Sequence, residues 1–151
     1  MIFIGHWLQT GTLGEFHYPI IDVGRTTRTL QMETGTLARD ILILLKEDFP
    51  DGAGPPYFCP DCAMITGVLS YFQKLKYSLD IRYSDFPAPR TEIVGLIGKD
   101  NQNCPVLILD RAPPMDALGY LTGQLDGKCF ISGAKAIAKY WSHVYGISRP
   151  H

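Results

Sequence analysis

The sequence predicts an α/β (α+β) domain whose strands and helices follow one another in the order β-α-β-α-β-β-α. Two patterns support this prediction. Short apolar runs bounded by charged or turn-forming residues indicate buried strands, and apolar residues that recur every three or four positions indicate amphipathic helices. The order contains four strands, which we expect to form one mixed sheet. A chain of 151 residues suits one such domain with a single core.

The first half of the domain contains the clearest helix. Residues 39–45 combine flanking charges with an apolar run, which predicts a buried strand. Residues 46–58 are rich in Gly and Pro and show no period, so we expect a loop. Residues 62–76 then carry an apolar stripe at helical spacing. Residues 79–83 alternate between apolar and polar side chains and predict the second strand.

The second half of the domain ends in a second well-marked helix. Three shorter elements come before it: a helix at residues 91–97 and strands at residues 105–109 and 127–131. Residues 111–124 contain Pro and Gly and are expected to connect the last two strands, with an Asp126-Gly127 turn signal at the start of the final strand. Ser132 is a good N-cap for the last helix, and Gly146 is expected to end it.

The N-terminal part of the chain differs from the rest. Residues 1–38 are rich in Gly and Thr, and their apolar residues follow no clear period. We therefore predict an N-terminal extension or arm at residues 1–38 and the domain at residues 39–151. Met32 stands shortly before the first strand. Either it is the biological start, with residues 1–31 as an upstream extension, or the arm is an ordered part of the protein; the sequence favours neither.

Composition narrows the range of partners. The net charge is −1, and the basic residues are scattered rather than clustered, so we expect no attraction to nucleic acid or to anionic membranes. No apolar run approaches the roughly 20 residues that span a bilayer, and the N-terminus lacks the pattern of a secretory signal. We expect a cytoplasmic protein, where its four cysteines would rest mainly as thiols.

The motif Cys59-Pro60-Asp61-Cys62 lies where the loop gives way to the first helix. With Cys59 at the N-cap, Pro60 takes the first helical position, where its missing N–H costs nothing. A thiolate at Cys59 would face the unpaired amides and the positive end of the helix dipole. Asp61 partly opposes that effect through its own negative charge. We therefore expect Cys59 to be a moderately activated nucleophile and Cys62, one turn further, to resolve a mixed disulfide.

This order of elements, with C-P-x-C opening the first helix and a proline opening the third strand, resembles the glutaredoxin-like branch of the thioredoxin fold. The resemblance covers roughly residues 39–146. It implies three layers, α/β/α, around the four-stranded sheet. It also implies a cis bond between Cys104 and Pro105, which would expose the backbone of Cys104 as an edge for a substrate peptide or glutathione. The alternative is a trans proline at the start of a strand.

A narrower resemblance rests on short segments spread along the domain. The sequence looks like an uncharacterised bacterial family, catalogued as domain-of-unknown-function family 3088 and regarded as thioredoxin-like. The segments that carry this resemblance are Arg39-Asp40-Ile41-Leu42, Tyr57-Phe58-Cys59 with Cys62-Ala63, Asp85-Phe86-Pro87, Pro89-Arg90, and residues 101–107. The family has no assigned activity, so this resemblance implies a fold and leaves the substrate open.

Two features depart from the glutaredoxin pattern. Thirteen residues separate the first strand from Cys59, where glutaredoxins have a short turn; the extra length forms either a lid over Cys59 or an ordinary surface loop. Cys104 stands before the proline, where the fold commonly has Thr, Val or Ile. This third thiol could resolve a disulfide, ligate a metal or reduce the reactivity of the pair. A buried apolar filler is an equal alternative.

The leading functional hypothesis is a thiol–disulfide oxidoreductase that acts on thiols and disulfides of proteins or small molecules. One alternative is a thioredoxin-fold binding module with a vestigial C-x-x-C. Another is a metal or cluster site formed by Cys59, Cys62 and Cys104, although zinc usually needs a second close pair. Glutathione is a candidate ligand, because Ser132-Gly133 resembles a glutathione-transferase helix start. Ile131 replaces the acidic residue of that pattern, so ordinary capping by Ser132 is favoured.

Overall fold

A five-stranded mixed sheet forms the centre of the computed structural model, which describes residues 38–151. The strand order across the sheet is β2-β1-β3-β5-β4. The first two strands are parallel, and every other pair is antiparallel. The strands are β1 (Ile41–Leu45), β2 (Asp80–Ser84), β3 (Val106–Ile108), β4 (Gly123–Leu125) and β5 (Lys128–Ser132). The predicted α+β class is confirmed. The predictions for residues 1–37, including the role of Met32, lie outside the described residues.

The sheet corrects one prediction, because it has five strands and not four. The additional strand is β4, within the segment that the sequence predicts to be a plain connection. It pairs with β5 through a two-residue turn in which Asp126 and Gly127 have φ angles of 47° and 79°. Positive φ at both positions is the geometry of a type I′ hairpin. The Asp126-Gly127 turn thus connects β4 to β5, whereas the sequence predicted only that it precedes the final strand.

Four α-helices and one 3₁₀ helix complete the described part of the chain. They are α1 (Pro60–Tyr71), α2 (Gln73–Ser78), α3 (Thr91–Ile97), the 3₁₀ helix Met115–Tyr120 and α4 (Ala134–Val144). The single helix predicted at residues 62–76 is wrong, because Phe72 leaves the helical region with φ −114° and ψ 72°. In an unbroken helix Leu75 would lie at the margin of the apolar stripe. After the break it is buried in the core.

Two hydrophobic clusters form the core on the two faces of the sheet. Successive side chains of a strand point to opposite faces, so Leu42 and Leu44 join one cluster and Ile43 joins the other. The larger cluster contains the buried residues of α1 and α4, including Trp141. The smaller cluster is covered by α3. Within residues 38–151, no helix combines the length and apolar character needed to cross a membrane.

Candidate functional site

Cys59 caps the N-terminus of α1, as the sequence predicts. Its backbone is extended, with φ −82° and ψ 116°, and Pro60 follows as the first helical residue. The Cys59 Sγ atom accepts the N–H of Cys62 at 3.3 Å. This N–H is one of the amides that a helix leaves unpaired at its start. The helix therefore directs a hydrogen-bond donor and its positive dipole end at the Cys59 sulfur.

Cys62 lies one turn further along α1 and faces the core. It is 6% exposed, whereas Cys59 is partly exposed, so Cys59 is the more accessible of the pair. The backbone N–H of Leu45, at the end of β1, donates to the Cys62 Sγ atom at 3.3 Å. The pKa of Cys62 is raised to about 12, chiefly by burial, while the Leu45 N–H lowers it and the nearby Cys59 adds to the increase.

The loop before β3 supplies the third thiol. The Cys104–Pro105 peptide bond is cis, as the resemblance predicts. The Cys59 thiol donates to the carbonyl oxygen of Cys104 at 3.9 Å, which places the nucleophile candidate against this loop. Cys104 is partly buried. The pKa of Cys104 is raised to about 11, chiefly by burial, while the positive charge of Arg90 lowers it and Cys59 adds to the increase.

A cleft of about 320 Å³ opens beside the two cysteines of the motif. Its walls include the end of β1 and two aromatic side chains, Phe58 and Tyr83, which are 64% and 52% exposed. Larger clefts of about 590 and 580 Å³ lie elsewhere on the surface and contain none of the cysteines. We therefore take the smaller cleft as the candidate substrate site, because it alone among these three borders a thiol.

The long loop before Cys59 is fixed at its base. Phe49 and Tyr57 exchange two backbone hydrogen bonds, of 3.0 and 2.9 Å. The Phe49 ring also stacks on the Phe86 ring, with 4.3 Å between the centroids. Residues 50–56, between the two ends, are all exposed. The extra residues thus form a surface loop whose two ends are held together, and the loop is followed directly by Phe58 and Cys59 at the start of α1.

Arg90 is a structural residue of the site that the sequence analysis did not single out. Its guanidinium donates to the carbonyl oxygens of Gln102, of Phe86 at 2.6 Å and of Asp85 at 3.3 Å. It therefore joins the loop after β2 to the loop that carries Cys104. The signal for this residue was its place in the Pro89-Arg90 segment, which the sequence analysis quoted without a role.

Three further residues, Cys129, Ser132 and His143, lie outside the group formed by Cys59, Cys62 and Cys104. Cys129 is buried in β5. Ser132 is the last residue of β5, and the N-cap of α4 is Gly133 with φ 92°, so the capping role predicted for Ser132 is wrong. His143 forms a 3.1 Å contact with Asp116 on the surface. In the part of the chain that the structure describes, no three His, Cys, Asp or Glu side chains are arranged to hold a metal ion.

Comparison with known proteins yields one match. A family model described as "Protein of unknown function (DUF3088)" matches residues 39–149. No curated protein and no solved structure matches the chain. The match includes all four cysteines and Arg90, and the family description assigns no chemistry to them.

Proposed function

This chain belongs to the DUF3088 family, and because the family description assigns no activity, we propose a function from the site itself: a cytoplasmic thiol–disulfide oxidoreductase. In this proposal Cys59 is the nucleophile and Cys62 resolves the mixed disulfide. Cys104 and Pro105 form the edge against which the substrate binds. The substrates are disulfides of proteins or small molecules, and neither nucleic acid nor membrane takes part.

The proposal includes a fold of the glutaredoxin-like branch of the thioredoxin proteins. Four features support it. Strands β1 and β2 are parallel and are joined by a helical crossover, β3 and β5 continue the sheet as antiparallel strands, Pro105 immediately precedes β3, and α4 closes the chain on the larger core. In this interpretation β4 is an additional edge strand that extends the sheet beyond the four strands of the pattern.

One observation carries the proposed activity. The Cys59 sulfur is partly exposed at a cleft while it accepts the Cys62 N–H, one of the unpaired amides at the start of α1, at 3.3 Å. The thiolate is the nucleophile in disulfide exchange, and helix N-termini stabilise thiolates. A cysteine that only filled space would have no need of this donor. The same geometry gives the binding-module alternative no specific support.

The reaction follows from the positions of the two sulfurs. The Cys59 thiolate attacks one sulfur of the substrate disulfide, a new S–S bond forms, and the second substrate sulfur leaves as a thiolate. Cys62 then loses its proton and attacks the Cys59 sulfur, which releases the first substrate thiol and leaves a Cys59–Cys62 disulfide. Residues one helical turn apart meet the distance that a disulfide requires, about 4.4–6.8 Å between Cα atoms. An external thiol, such as glutathione, must return the pair to the dithiol.

The electrostatic surroundings of Cys62 change when Cys59 forms the mixed disulfide. In the free protein, burial and the nearby Cys59 sulfur both raise the pKa of Cys62. Once Cys59 is bonded to substrate it carries no charge, so its repulsion disappears while the Leu45 N–H remains in place. Formation of the mixed disulfide therefore makes Cys62 easier to deprotonate, while burial continues to raise its pKa.

Turnover of bis(2-hydroxyethyl) disulfide tests the proposal. We expect catalysis by the wild-type protein with either glutathione or dithiothreitol as the reductant, and the choice of reductant reports whether glutathione is used. Cys59→Ser should lower the rate by about a hundredfold or more. Cys129→Ser removes a thiol remote from the motif and should retain the wild-type rate. Equal rates for the wild type and Cys59→Ser would overturn the assignment. If no protein turns over and Cys59 alkylates no faster than a peptide cysteine, the binding-module alternative is favoured.

A further inference from the structure

Cys59 has a second thiol within reach besides Cys62. The Cys59 sulfur lies 3.9 Å from the carbonyl oxygen of Cys104. A carbonyl oxygen lies about 2.4 Å from the Cα atom of its own residue, so this sulfur lies within about 6.3 Å of the Cα atom of Cys104. The two thiols are also close enough for the charge of Cys59 to raise the pKa of Cys104. Both side chains are partly buried against the same hydrophobic cluster.

We infer that Cys104 is a second resolving thiol, which attacks the Cys59 mixed disulfide in competition with Cys62 and forms an internal Cys59–Cys104 disulfide. This inference rests on the proposed function of Cys59 as the nucleophile. It also assigns a role to a thiol that the simple two-cysteine mechanism does not use. Because Cys104 belongs to the proposed substrate edge, the Cys59–Cys104 disulfide blocks that edge until an external thiol reopens it.

The two candidate resolving thiols differ in accessibility and in charge environment. Cys62 is 6% exposed and points into the core, whereas Cys104 is partly exposed. Arg90 lies near Cys104 and lowers its pKa, and Cys62 has no cation among the groups that act on it. The Arg90 guanidinium is held by three backbone carbonyls, so its position relative to the Cys104 loop is fixed. Cys104 is therefore the more accessible of the two resolving thiols, and of the two it is the one with a cation beside it.

The step balances without any further reactant. The Cys104 thiol gives its proton to solvent, and its thiolate attacks the Cys59 sulfur of the mixed disulfide. The Cys104–Cys59 bond forms as the bond from Cys59 to the substrate sulfur breaks, and the substrate leaves as a thiolate that takes up a proton. The substrate disulfide is the oxidant: it is reduced to two thiols, while Cys59 and Cys104 are oxidised to one disulfide.

The test uses full-length reduced protein and one equivalent of 5,5′-dithiobis(2-nitrobenzoate). Attack by Cys59 releases one coloured thiolate, and internal resolution releases a second. In the Cys62→Ser variant, we expect release of two equivalents of the coloured thiolate. The second should be released at least tenfold faster than in the Cys62→Ser/Cys104→Val double variant. Valine is a residue that related folds place before this proline, so the double variant should fold, and circular dichroism checks this. Cys62→Ser/Cys129→Ser is the matched control and should behave like Cys62→Ser.

The outcomes separate this inference from the proposed function. If the first release is as slow as in Cys59→Ser, the proposed nucleophile is wrong. If the first release is fast but the second is absent from Cys62→Ser, Cys59 stands and the role of Cys104 is overturned. Loss of the second release in the Cys129 control would overturn it as well. Mapping of the wild-type protein under non-reducing conditions needs no variant, and a peptide linking Cys59 to Cys104 at early times supports the inference.

Discussion

The start of α1 and the start of β5 each bury one cysteine to the same degree, yet the two thiols have different surroundings. Cys62 and Cys129 are both 6% exposed and both belong to the larger hydrophobic cluster. The Cys62 sulfur accepts the Leu45 N–H and lies one turn from a second thiol. Within residues 38–151, the Cys129 sulfur makes no comparable hydrogen bond. Burial alone therefore does not distinguish these two cysteines; the hydrogen-bond donors around the sulfur do.

The largest expected difference between the two regions is kinetic and depends on pH. In a Cys104→Val background only Cys62 can resolve the Cys59 mixed disulfide. Because burial raises the pKa of Cys62, its thiolate fraction grows about tenfold per pH unit below that pKa. We expect the second release of 2-nitro-5-thiobenzoate to accelerate about a hundredfold between pH 7 and pH 9. Adding Cys129→Ser should leave this profile unchanged, and a rate independent of pH would contradict the role of Cys62.

The next difference concerns stability at alkaline pH. The pKa of Cys62 is raised from 9.0 to about 12 in the folded protein, so between these values the unfolded chain loses its proton first. The stabilising contribution is complete below pH 9 and is lost as pH rises toward 12. Between pH 8 and pH 10.5 the free energy of unfolding of the wild type should fall by about 2 kcal/mol more than that of the Cys62→Ala variant. Urea unfolding at both pH values measures this.

The control for that experiment is Cys129→Ala. It also removes one buried thiol, but it leaves Cys62 and Cys104 with their raised pKa values in place. Its alkaline loss of stability should therefore match that of the wild type. A Cys62→Ala variant that loses as much stability as Cys129→Ala would show that Cys62 titrates normally in the folded protein.

The sequence predicted the thiol site better than the sheet that carries it. The N-cap position of Cys59 followed from local chemistry, since Pro at the first helical position and a side-chain acceptor before it are short-range signals. Strand β4 was missed because its three residues, Gly123–Leu125, carry no alternation and become a strand only by pairing with β5. Pairing of this kind depends on tertiary contacts, which periodicity does not report.

The contacts of Arg90 could not be predicted for the same reason. Its guanidinium donates to carbonyls of residues 85, 86 and 102, and the last of these belongs to a different loop. The break at Phe72 is likewise a tertiary effect, because the apolar spacing of residues 62–76 is compatible with one helix. Local sequence signals thus predicted the position of the cysteines at the start of α1, whereas the contacts between the surrounding loops depend on tertiary structure.

A smaller expected effect comes from the donors around each buried sulfur. Replacing Cys129 with Ser buries a hydroxyl in β5 and should destabilise the protein by about 2 kcal/mol. Cys62→Ser should cost only about 1 kcal/mol, because the Leu45 N–H can donate to the new Oγ atom. Urea unfolding at pH 7 compares the two variants directly. If both substitutions lowered the free energy of unfolding by the same amount, the hydrogen bond from the Leu45 N–H would make no contribution to stability.

The smallest expected effect concerns the charge beside Cys104 and extends the comparison to a third thiol. Arg90 lowers the pKa of Cys104 against the larger opposing effect of burial. Arg90→Gln removes this charge, and we expect Cys104 to alkylate about threefold more slowly at pH 9, a change of less than one pKa unit. Alkylation of Cys129, read in the same mass-spectrometric digest, should not change.

Arg90→Lys separates the charge of Arg90 from its hydrogen bonds. Lysine keeps the positive charge but has no planar fork with which to bind carbonyls of Phe86 and Gln102 together. If the charge acts on Cys104, the lysine variant should retain most of the wild-type alkylation rate while its melting temperature falls with that of Arg90→Gln. If both variants slow alkylation equally, Arg90 acts by holding the loop rather than through its field. In that case the charge of Arg90 would not act on the Cys104 sulfur, and its surroundings would resemble those of Cys129 more than those of Cys62. Of these cysteines, only those at the start of α1 would then have a neighbouring hydrogen-bond donor that affects the sulfur.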